Sequence, residues 1–325
     1  MALCILKILE DYSDVDHPLT HAQIIKKLND EFGLEAGRNA VRRNISLLCE
    51  LGYDISTYEE NNRGAYLRER AFDEMELLVL IDSVMTSRFI PEGDAKRLVK
   101  KLGELSSRYF RQRLPHISRV SEWHHQRNRQ FFLNLEVLSE AIENKKQVAF
   151  VYNKPKPDGC LHPVRDIKDQ VHPYALVCTN GQYYLIASYK NYDNLLHYRV
   201  DRMTEIELLD QAARSVTEIP GYESGLDICR YAAEHNFMYG GKTERIVLKM
   251  PCECAGDVLD FFGHSAVMEK IDDQYMRVTV RAAVNGMRFF ALQFGCVCEV
   301  LEPKELRDLV RNDIKAMLER YESDN

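Results

Sequence analysis

The sequence predicts a multidomain α+β protein, and three observations lead to this fold class. The chain has 325 residues, which is too many for one small hydrophobic core and suits two or three domains. Its first third carries apolar residues at helical spacing, whereas the remainder mixes short β-type runs, turn residues and further helices. We expect four parts, namely residues 1–68, a helical connector over 69–127, a strand-rich domain over 128–211 and a C-terminal domain over 240–325.

Composition limits the classes of protein that the chain can belong to. No apolar run approaches the roughly 18–20 residues needed to span a bilayer, and the first residues do not resemble a signal segment. We therefore expect a cytoplasmic protein without a membrane partner. The net charge of −7 argues against a chain that is basic throughout, although a local basic patch is enough to bind DNA.

The nine cysteines do not suggest a disulfide framework, because their number is odd and the chain is long. Two pairs, Cys252/Cys254 and Cys296/Cys298, are spaced as C-x-C rather than as the C-x-x-C of a zinc site. We expect reduced structural thiols, with metal or redox sensing as the alternative. We expect no cofactor.

The N-terminal residues predict two short helices. Apolar residues recur at helical spacing between Leu3 and Tyr12, which indicates a helix with one buried face. Pro18 then breaks the chain. Thr20 and Gln23 have the spacing of a capping box, in which a hydroxyl and an amide satisfy backbone N–H groups at the start of a second helix.

A third helix, from about Arg38 to Leu51, has the composition of a helix that contacts DNA. Its apolar residues recur at i, i+4 and i+7 and can pack inward. Its other faces carry side chains that can bond base edges or phosphates: Arg38, Asn39, Arg42, Arg43 and Ser46. The simpler alternative is an amphipathic helix whose basic face is only solvated.

Two short strand-like stretches, residues 54–58 and 65–67, follow the third helix. Residues 60–64 join them as a hairpin, with Arg63 near its tip and able to reach the DNA backbone or minor groove. This order of elements is typical of a winged helix-turn-helix. The segment resembles the winged helix-turn-helix of the DeoR-like regulators, which implies binding to double-stranded DNA, usually as a symmetric homodimer.

The predicted connector contains two amphipathic helices, over about residues 72–85 and 93–105. It shows no catalytic spacing and is expected to serve as a strut or a dimer surface, or alternatively as plain intramolecular core. Trp123-His124-His125 follows near a domain boundary. Adjacent side chains point in different directions, so we expect surface or packing residues there rather than metal ligands.

From about Gln130 a helix is followed by several β-type runs, over residues 148–152, 171–178, 182–189, 195–203 and 205–209. Asn180-Gly181 is a strong hairpin signal between two of them. Short consecutive strands with tight turns predict a small barrel or a curled sheet.

Three blocks in this region carry a family resemblance: 172–177 (HPYALV), 180–185 (NGQYYL) and 198–203 (YRVDRM). Their order and spacing resemble those of a WYL domain, a family named for a Trp-Tyr-Leu triplet in the second block. Tyr183 stands where the family has tryptophan, which keeps an aromatic ring. The resemblance implies an Sm-like β-barrel that binds a ligand, often nucleic acid or a nucleotide, to switch DNA binding.

Six residues of this region are candidate ligand contacts: Tyr152, His172, Tyr174, Tyr184, Arg199 and Arg202. The arginines offer fork-shaped donors that suit phosphate. The tyrosine rings can stack on bases, and the histidine adds a donor. In the alternative, the tyrosines belong to the core and each arginine pairs with a nearby acid such as Asp201.

The C-terminal part predicts the order βαββαβ and a last helix, which suits a ferredoxin-like sandwich. Residues 294–306 are similar to the extension that often follows WYL domains, which in that family is implicated in dimerisation and in shaping the ligand site. Residues 212–225 are left without a prediction.

The favoured function is a dimeric, ligand-responsive DNA-binding transcription regulator whose effector is a small molecule, a nucleotide or a nucleic acid. An RNA- or single-strand-binding accessory protein of a defence system is the first alternative. A nuclease-type enzyme is the second, although the chain has no P-loop, H-E-x-x-H or G-x-S-x-G motif. We expect no catalytic residues, since the acidic pair Asp272-Asp273 falls in a predicted turn.

Overall fold

The structure is a computed structural model, and it describes residues 1–114, 130–189 and 192–322. The chain divides into two compact units, Met1–Arg127 and Asn128–Asn325. Helices and sheets are both present, so the predicted mixture of α and β structure is observed. Residues 115–129 lie outside the described residues, and with them the end of the predicted connector and Trp123-His124-His125.

The first 68 residues, here called the head, contain three helices and a small hairpin that includes a fourth, single-turn helix. Their bounds are α1 (Ala2–Tyr12), α2 (His21–Phe32), α3 (Arg38–Glu50), β1 (Ile55–Ser56), α4 (Tyr58–Asn61) and β2 (Tyr66–Leu67). The apolar faces of α1, α2 and α3 share one core with the hairpin. The predicted capping box is confirmed, because the Gln23 backbone N–H donates to the Thr20 hydroxyl at 3.3 Å and the Thr20 N–H donates to the Gln23 amide oxygen at 2.8 Å.

The hairpin, residues 55–67, differs from the sequence prediction. One strand was predicted over residues 54–58, and this is wrong beyond Ser56, because Tyr58–Asn61 forms a turn of helix. Two acidic residues in the first turn favour a helix N-terminus there. Asn62, in a left-handed conformation with φ 55°, ends the turn, and its N–H donates to the Tyr58 carbonyl at 2.8 Å.

The hairpin is joined to Leu19, two residues before the start of α2, by two backbone hydrogen bonds. The Leu19 N–H donates to the Ala65 carbonyl at 2.8 Å, and the Ala65 N–H donates to the Leu19 carbonyl at 2.7 Å. This approach leaves no room for a side chain at Gly64, where a Cβ would lie 2.5 Å from the Leu19 carbonyl oxygen. Gly64 is therefore required by the position of the hairpin.

Replacing Gly64 with alanine is expected to destabilise the head by about 1–3 kcal/mol, because the added methyl forces the Leu19 backbone away from Ala65. Gly93→Ala is the matched control, since a Cβ there meets nothing within 4 Å and alanine favours helix. Urea unfolding followed by circular dichroism measures both changes. Equal free energies of unfolding for the two variants would contradict the expectation.

Three further helices complete the described part of the first unit: α5 (Glu74–Thr86), α6 (Glu92–Gly103) and α7 (Arg108–Arg113). The first two confirm the helices predicted for the connector. They pack with α7 around Leu77, Ile81 and Phe110. The sequence analysis missed α7, whose start is capped by the Ser107 hydroxyl accepting from the Phe110 N–H at 3.3 Å.

In the second unit, one helix lies on a sheet of six strands. These elements are α8 (Phe131–Glu143), β3 (Lys146–Pro155), β4 (Leu161–Pro163), β5 (Asp169–Thr179), β6 (Gln182–Ser188), β7 (Leu196–Arg199) and β8 (Met203–Ala212). The order is β4-β3-β5-β6-β7, and β8 returns to pair with β3. Val148 thus faces Val171 on one side and Leu208 on the other, so β3 lies between β5 and β8 in a curled sheet.

The predicted strand over residues 195–203 is wrong at its end. After β7 the chain makes a 3₁₀ turn over Val200–Arg202 before β8 begins. The buried carboxylate of Asp201 pairs with Arg199 within this turn. The buried Asn134 side chain of α8 also holds it, donating to the Met203 carbonyl at 2.9 Å.

The remaining residues form a second sheet with helices: α9 (Ile228–Glu234), β9 (Thr243–Pro251), α10 (Ala255–Phe262), β10 (Val267–Lys270), β11 (Tyr275–Ala283), α11 (Val284–Gln293), β12 (Glu299–Glu302) and α12 (Lys304–Glu322). From β9 onward the element order is the predicted one. The sheet order is β10-β11-β9-β12, with antiparallel pairs throughout. Within the described ranges, no helix is both long and apolar enough to cross a membrane.

A partly buried histidine joins the curled sheet to the segment after it. His197 on β7 places Nε2 2.7 Å from the Tyr231 hydroxyl and Nδ1 2.8 Å from the Met238 carbonyl. Burial and, to a smaller extent, the charge of His235 lower the pKa of His197 to about 4. His197 is therefore neutral near pH 7 and acts as a packed, hydrogen-bonded link.

Candidate functional site

Helix α3 has two faces of opposite character. Val41, Ile45 and Leu48 are at most 4% exposed and pack into the core of the head. All five candidate DNA contacts of this helix are exposed: Arg38, Asn39, Arg42, Arg43 and Ser46. The helix therefore presents its hydrogen-bonding side chains to solvent from a rigidly packed base.

A groove of about 730 Å³ lies beside this exposed face. It is formed by the start of α2, by α3 and by the hairpin. Arg38, Arg42 and Ser46 line the groove, whereas Asn39 and Arg43 are not among its lining residues. The candidate contacts thus divide into three within the groove and two outside it.

Arg63 at the hairpin tip is exposed but already has partners. Its guanidinium donates to the Val15 carbonyl at 3.2 Å and to the Asp16 carbonyl at 2.9 Å. It would have to exchange these backbone acceptors to reach DNA.

Arg199, at the end of β7, is bound by an acid, as the simpler alternative expected. Its Nε and Nη2 donate to the two Asp201 carboxylate oxygens at 3.0 and 2.8 Å, and Nη2 also donates to the Gln182 amide oxygen at 2.7 Å. Burial disfavours the charge on Arg199, but the hydrogen bonds and charge of Asp201 outweigh it, so the pKa of Arg199 is raised. The guanidinium is held in one orientation.

Two candidate tyrosines lie close to Arg199. The Tyr152 hydroxyl accepts from the Arg199 backbone N–H at 3.3 Å, and Tyr184 stands opposite Arg199 in the β6–β7 register. Arg202 is three residues beyond the end of β7, and no described carboxylate lies within ion-pair distance of it. The structure thus brings Tyr152, Tyr184 and Arg199 together.

His172 and Tyr174 are held by other contacts. His172 is 3% exposed, and its Nδ1 accepts from the Arg214 N–H at 3.0 Å. The Tyr174 hydroxyl lies 2.7 Å from the Ser188 hydroxyl. Tyr174 and Tyr184 both pack partly against an apolar cluster, and burial raises the pKa of each phenol. Part of each tyrosine ring therefore belongs to the core.

Family comparisons match both halves of the second unit. Residues 134–208 match the model of the WYL domain, and residues 242–318 match the model of the WCX domain. The chain contains a WYL domain and a WCX domain. Arg199 and the two tyrosines beside it lie within the matched WYL residues.

One curated protein is similar over nearly the whole chain. It is an uncharacterized HTH-type transcriptional regulator, YobV, of Bacillus subtilis (strain 168), which is 21% identical over 302 residues. The alignment covers 89% of this chain and 91% of the relative.

Two solved structures are more distant. Proteasome accessory factor B/C (PafBC) of Arthrobacter aurescens is 18% identical with a TM-score of 0.30, and the match covers 99% of this chain. The chain spans about half the length of that protein, 49%. A CRISPR Cas-related protein is 11% identical with a TM-score of 0.39, and the match covers 96% of this chain and 97% of the other. Neither TM-score is high enough to support an assignment.

The sequence analysis missed one charged residue of the head's groove. Glu59 lines it together with Arg42, and no motif marked this residue because the segment reads as a strand. Gln182, which binds Arg199, lies inside a recognised block of the WYL domain but was not singled out. Over the described residues, no cluster of three or more His, Cys, Asp or Glu side chains is placed to hold a metal ion.

Replacing Asp201 with alanine is expected to destabilise the protein by about 3 kcal/mol, because a largely buried arginine loses its charged partner. Asp210→Ala is the matched control, since Asp210 lies on β8 with a fully exposed side chain whose ion pair with Lys146 is long, at 3.4 Å. Urea denaturation of both variants measures the difference. If Asp201→Ala unfolds at the same urea concentration as Asp210→Ala, the ion pair does not stabilise the WYL domain.

Proposed function

We propose that this chain is a ligand-responsive transcription regulator that binds double-stranded DNA through α3 and senses an effector through its WYL domain. The observation that carries the proposal is the exposed set of arginine, asparagine and serine side chains on α3, opposite a fully packed face. The similarity to an HTH-type transcriptional regulator along nearly the whole chain supports it. In this proposal, the head is a winged helix-turn-helix and the hairpin is its wing.

The chemistry of α3 suits a DNA groove. Arginine pairs in bidentate fashion with guanine O6 and N7, and asparagine does so with adenine N6 and N7. Ser46 and the remaining arginines can contact phosphates, which provide affinity without sequence information. The net charge of −7 does not exclude DNA binding, because a bound phosphate interacts mainly with the charges of the nearby α3 residues.

The WYL domain offers an anion-binding region around Arg199 and Arg202. Asp201 neutralises part of the charge of Arg199 but fixes its orientation, so Arg202 supplies the unpaired charge. Tyr152 and Tyr184 both lie beside Arg199 and are partly exposed, so their rings can contact a base. We infer a phosphate-bearing effector, either a nucleotide or a nucleic acid, and in this proposal the domain is an Sm-like barrel.

Regulation requires that the effector bind two states of the protein with different affinity. A homodimer would place two α3 helices on successive half-sites of a duplex, so a change in their spacing would change DNA affinity. The WCX domain, proposed to be ferredoxin-like, is a candidate for the dimer contact. Neither step needs a cofactor or a catalytic residue.

The proposal is tested by electrophoretic shift on the DNA upstream of the chain's own gene, over a series of salt concentrations. Arg42→Ala/Arg43→Ala should abolish selective binding, and the slope of log K against log[salt] should fall by about 0.9 for each phosphate contact that is lost. Lys96→Ala/Lys101→Ala on α6 removes the same charge from exposed positions elsewhere and should bind as the unchanged protein does. Selective binding retained by the arginine variant would overturn the role of α3.

A further inference from the structure

An acidic side chain stands within the face that we propose to read DNA. Glu59 of α4 lines the groove beside α3, and its Oε1 lies 3.4 Å from Arg42 Nη2. Both side chains are largely exposed, 62% for Glu59 and 69% for Arg42. An ion pair this exposed contributes little to the free energy of folding. We therefore expect Glu59 to affect which DNA groups Arg42 binds.

Glu59 lies on an anchored backbone and is ionised. Its carboxylate accepts hydrogen bonds from its own backbone N–H and from the Thr57 hydroxyl. These bonds, with smaller contributions from Arg42 and His21, hold the pKa of Glu59 below its usual value. The carboxylate therefore stays ionised near pH 7. The Leu19–Ala65 hydrogen bonds hold the hairpin that carries it.

The other charged groups of the hairpin are directed elsewhere. Glu60, the next residue, forms an ion pair with Arg68, which also pairs with Asp54 at 3.0 Å. Arg63 is bound to backbone carbonyls. The charged side chain that this hairpin places beside α3 is therefore a carboxylate. A basic wing would instead place a cation there, which could bind phosphate.

A carboxylate beside an arginine changes which DNA groups the arginine prefers. One terminal nitrogen of Arg42 faces Glu59, and the rest of the guanidinium remains available for the two acceptors of guanine. A phosphate brought to the same place would meet the negative charge of Glu59, whereas a guanine edge carries no net charge. Phosphate contacts are the same for every sequence, so weakening them raises selectivity.

We propose that Glu59 is a specificity-determining residue, which positions Arg42 for a base edge and disfavours its binding to phosphate. The inference rests on the proposed DNA-binding function and adds a residue that opposes non-specific binding. It predicts that removing the charge of Glu59 makes DNA binding tighter but less selective.

The test compares Glu59→Gln with Glu60→Gln, which removes the same charge from the adjacent residue that does not face α3. A preferred duplex is first selected from a random pool with the unchanged protein, and the dissociation constants for it and for a scrambled duplex are measured over a salt series. Glu59→Gln should bind the scrambled duplex about 3–10-fold more tightly, with a salt slope steeper by about 0.9, as expected for one added phosphate contact. The ratio of the two constants should fall at least about threefold.

Two further measurements show whether Glu59 acts through Arg42. In an Arg42→Ala background, Glu59→Gln should change neither the affinity for the scrambled duplex nor the salt slope, because the side chain that it positions is gone. Circular dichroism melting of each variant shows whether the hairpin remains folded. Equal ratios for Glu59→Gln and Glu60→Gln, or an effect that persists without Arg42, would overturn the inference. A different result, in which the unchanged protein selects no duplex, would overturn the proposed function itself.

Discussion

The head depends on two backbone hydrogen bonds, those between Leu19 and Ala65. They place the hairpin against the start of α2, and in doing so they create the groove that α3 lines. The same contact requires a glycine at position 64, because any side chain there would collide with the Leu19 carbonyl. It also sets the chemistry of the groove, because a hairpin held there carries Glu59 to Arg42. A backbone contact therefore determines which charges surround the helix that we propose to read DNA.

Two arginines of the chain face carboxylates, and burial makes their situations different. Arg199 and Asp201 are mostly shielded from solvent, so loss of either partner would leave a buried charge unpaired, and the pairing fixes the orientation of a donor. Arg42 and Glu59 are mostly exposed, so their pairing is easily exchanged for a ligand. The Arg199–Asp201 pair suits a preformed ligand site, and the Arg42–Glu59 pair suits a selective contact with DNA.

Much of this organisation could be predicted from the sequence, and what was missed has physical reasons. The capping box of Thr20 and Gln23 and the hydrophobic spacing of α3 are local signals, and both predictions are confirmed. The turn of helix at Tyr58–Asn61 was missed because a β-type residue, Ile55, precedes it and its own four residues show no periodicity. Glu59 and Arg42 are 17 positions apart in the sequence, and their pairing depends on where the hairpin is held. No local sequence pattern predicts that position.

The central claim is that α3, rather than the WYL domain, makes the contact with duplex DNA, and site-specific photocrosslinking tests it most directly. A photoreactive amino acid replaces Asn39 on α3, Val79 on α5 or Arg202 in the WYL domain, all without any change to the groove residues. The account predicts a crosslink to the selected duplex from position 39 and none from position 79, whose side chain is 62% exposed on the outside of α5. Crosslinking to the duplex from position 202 but not from position 39 would contradict it.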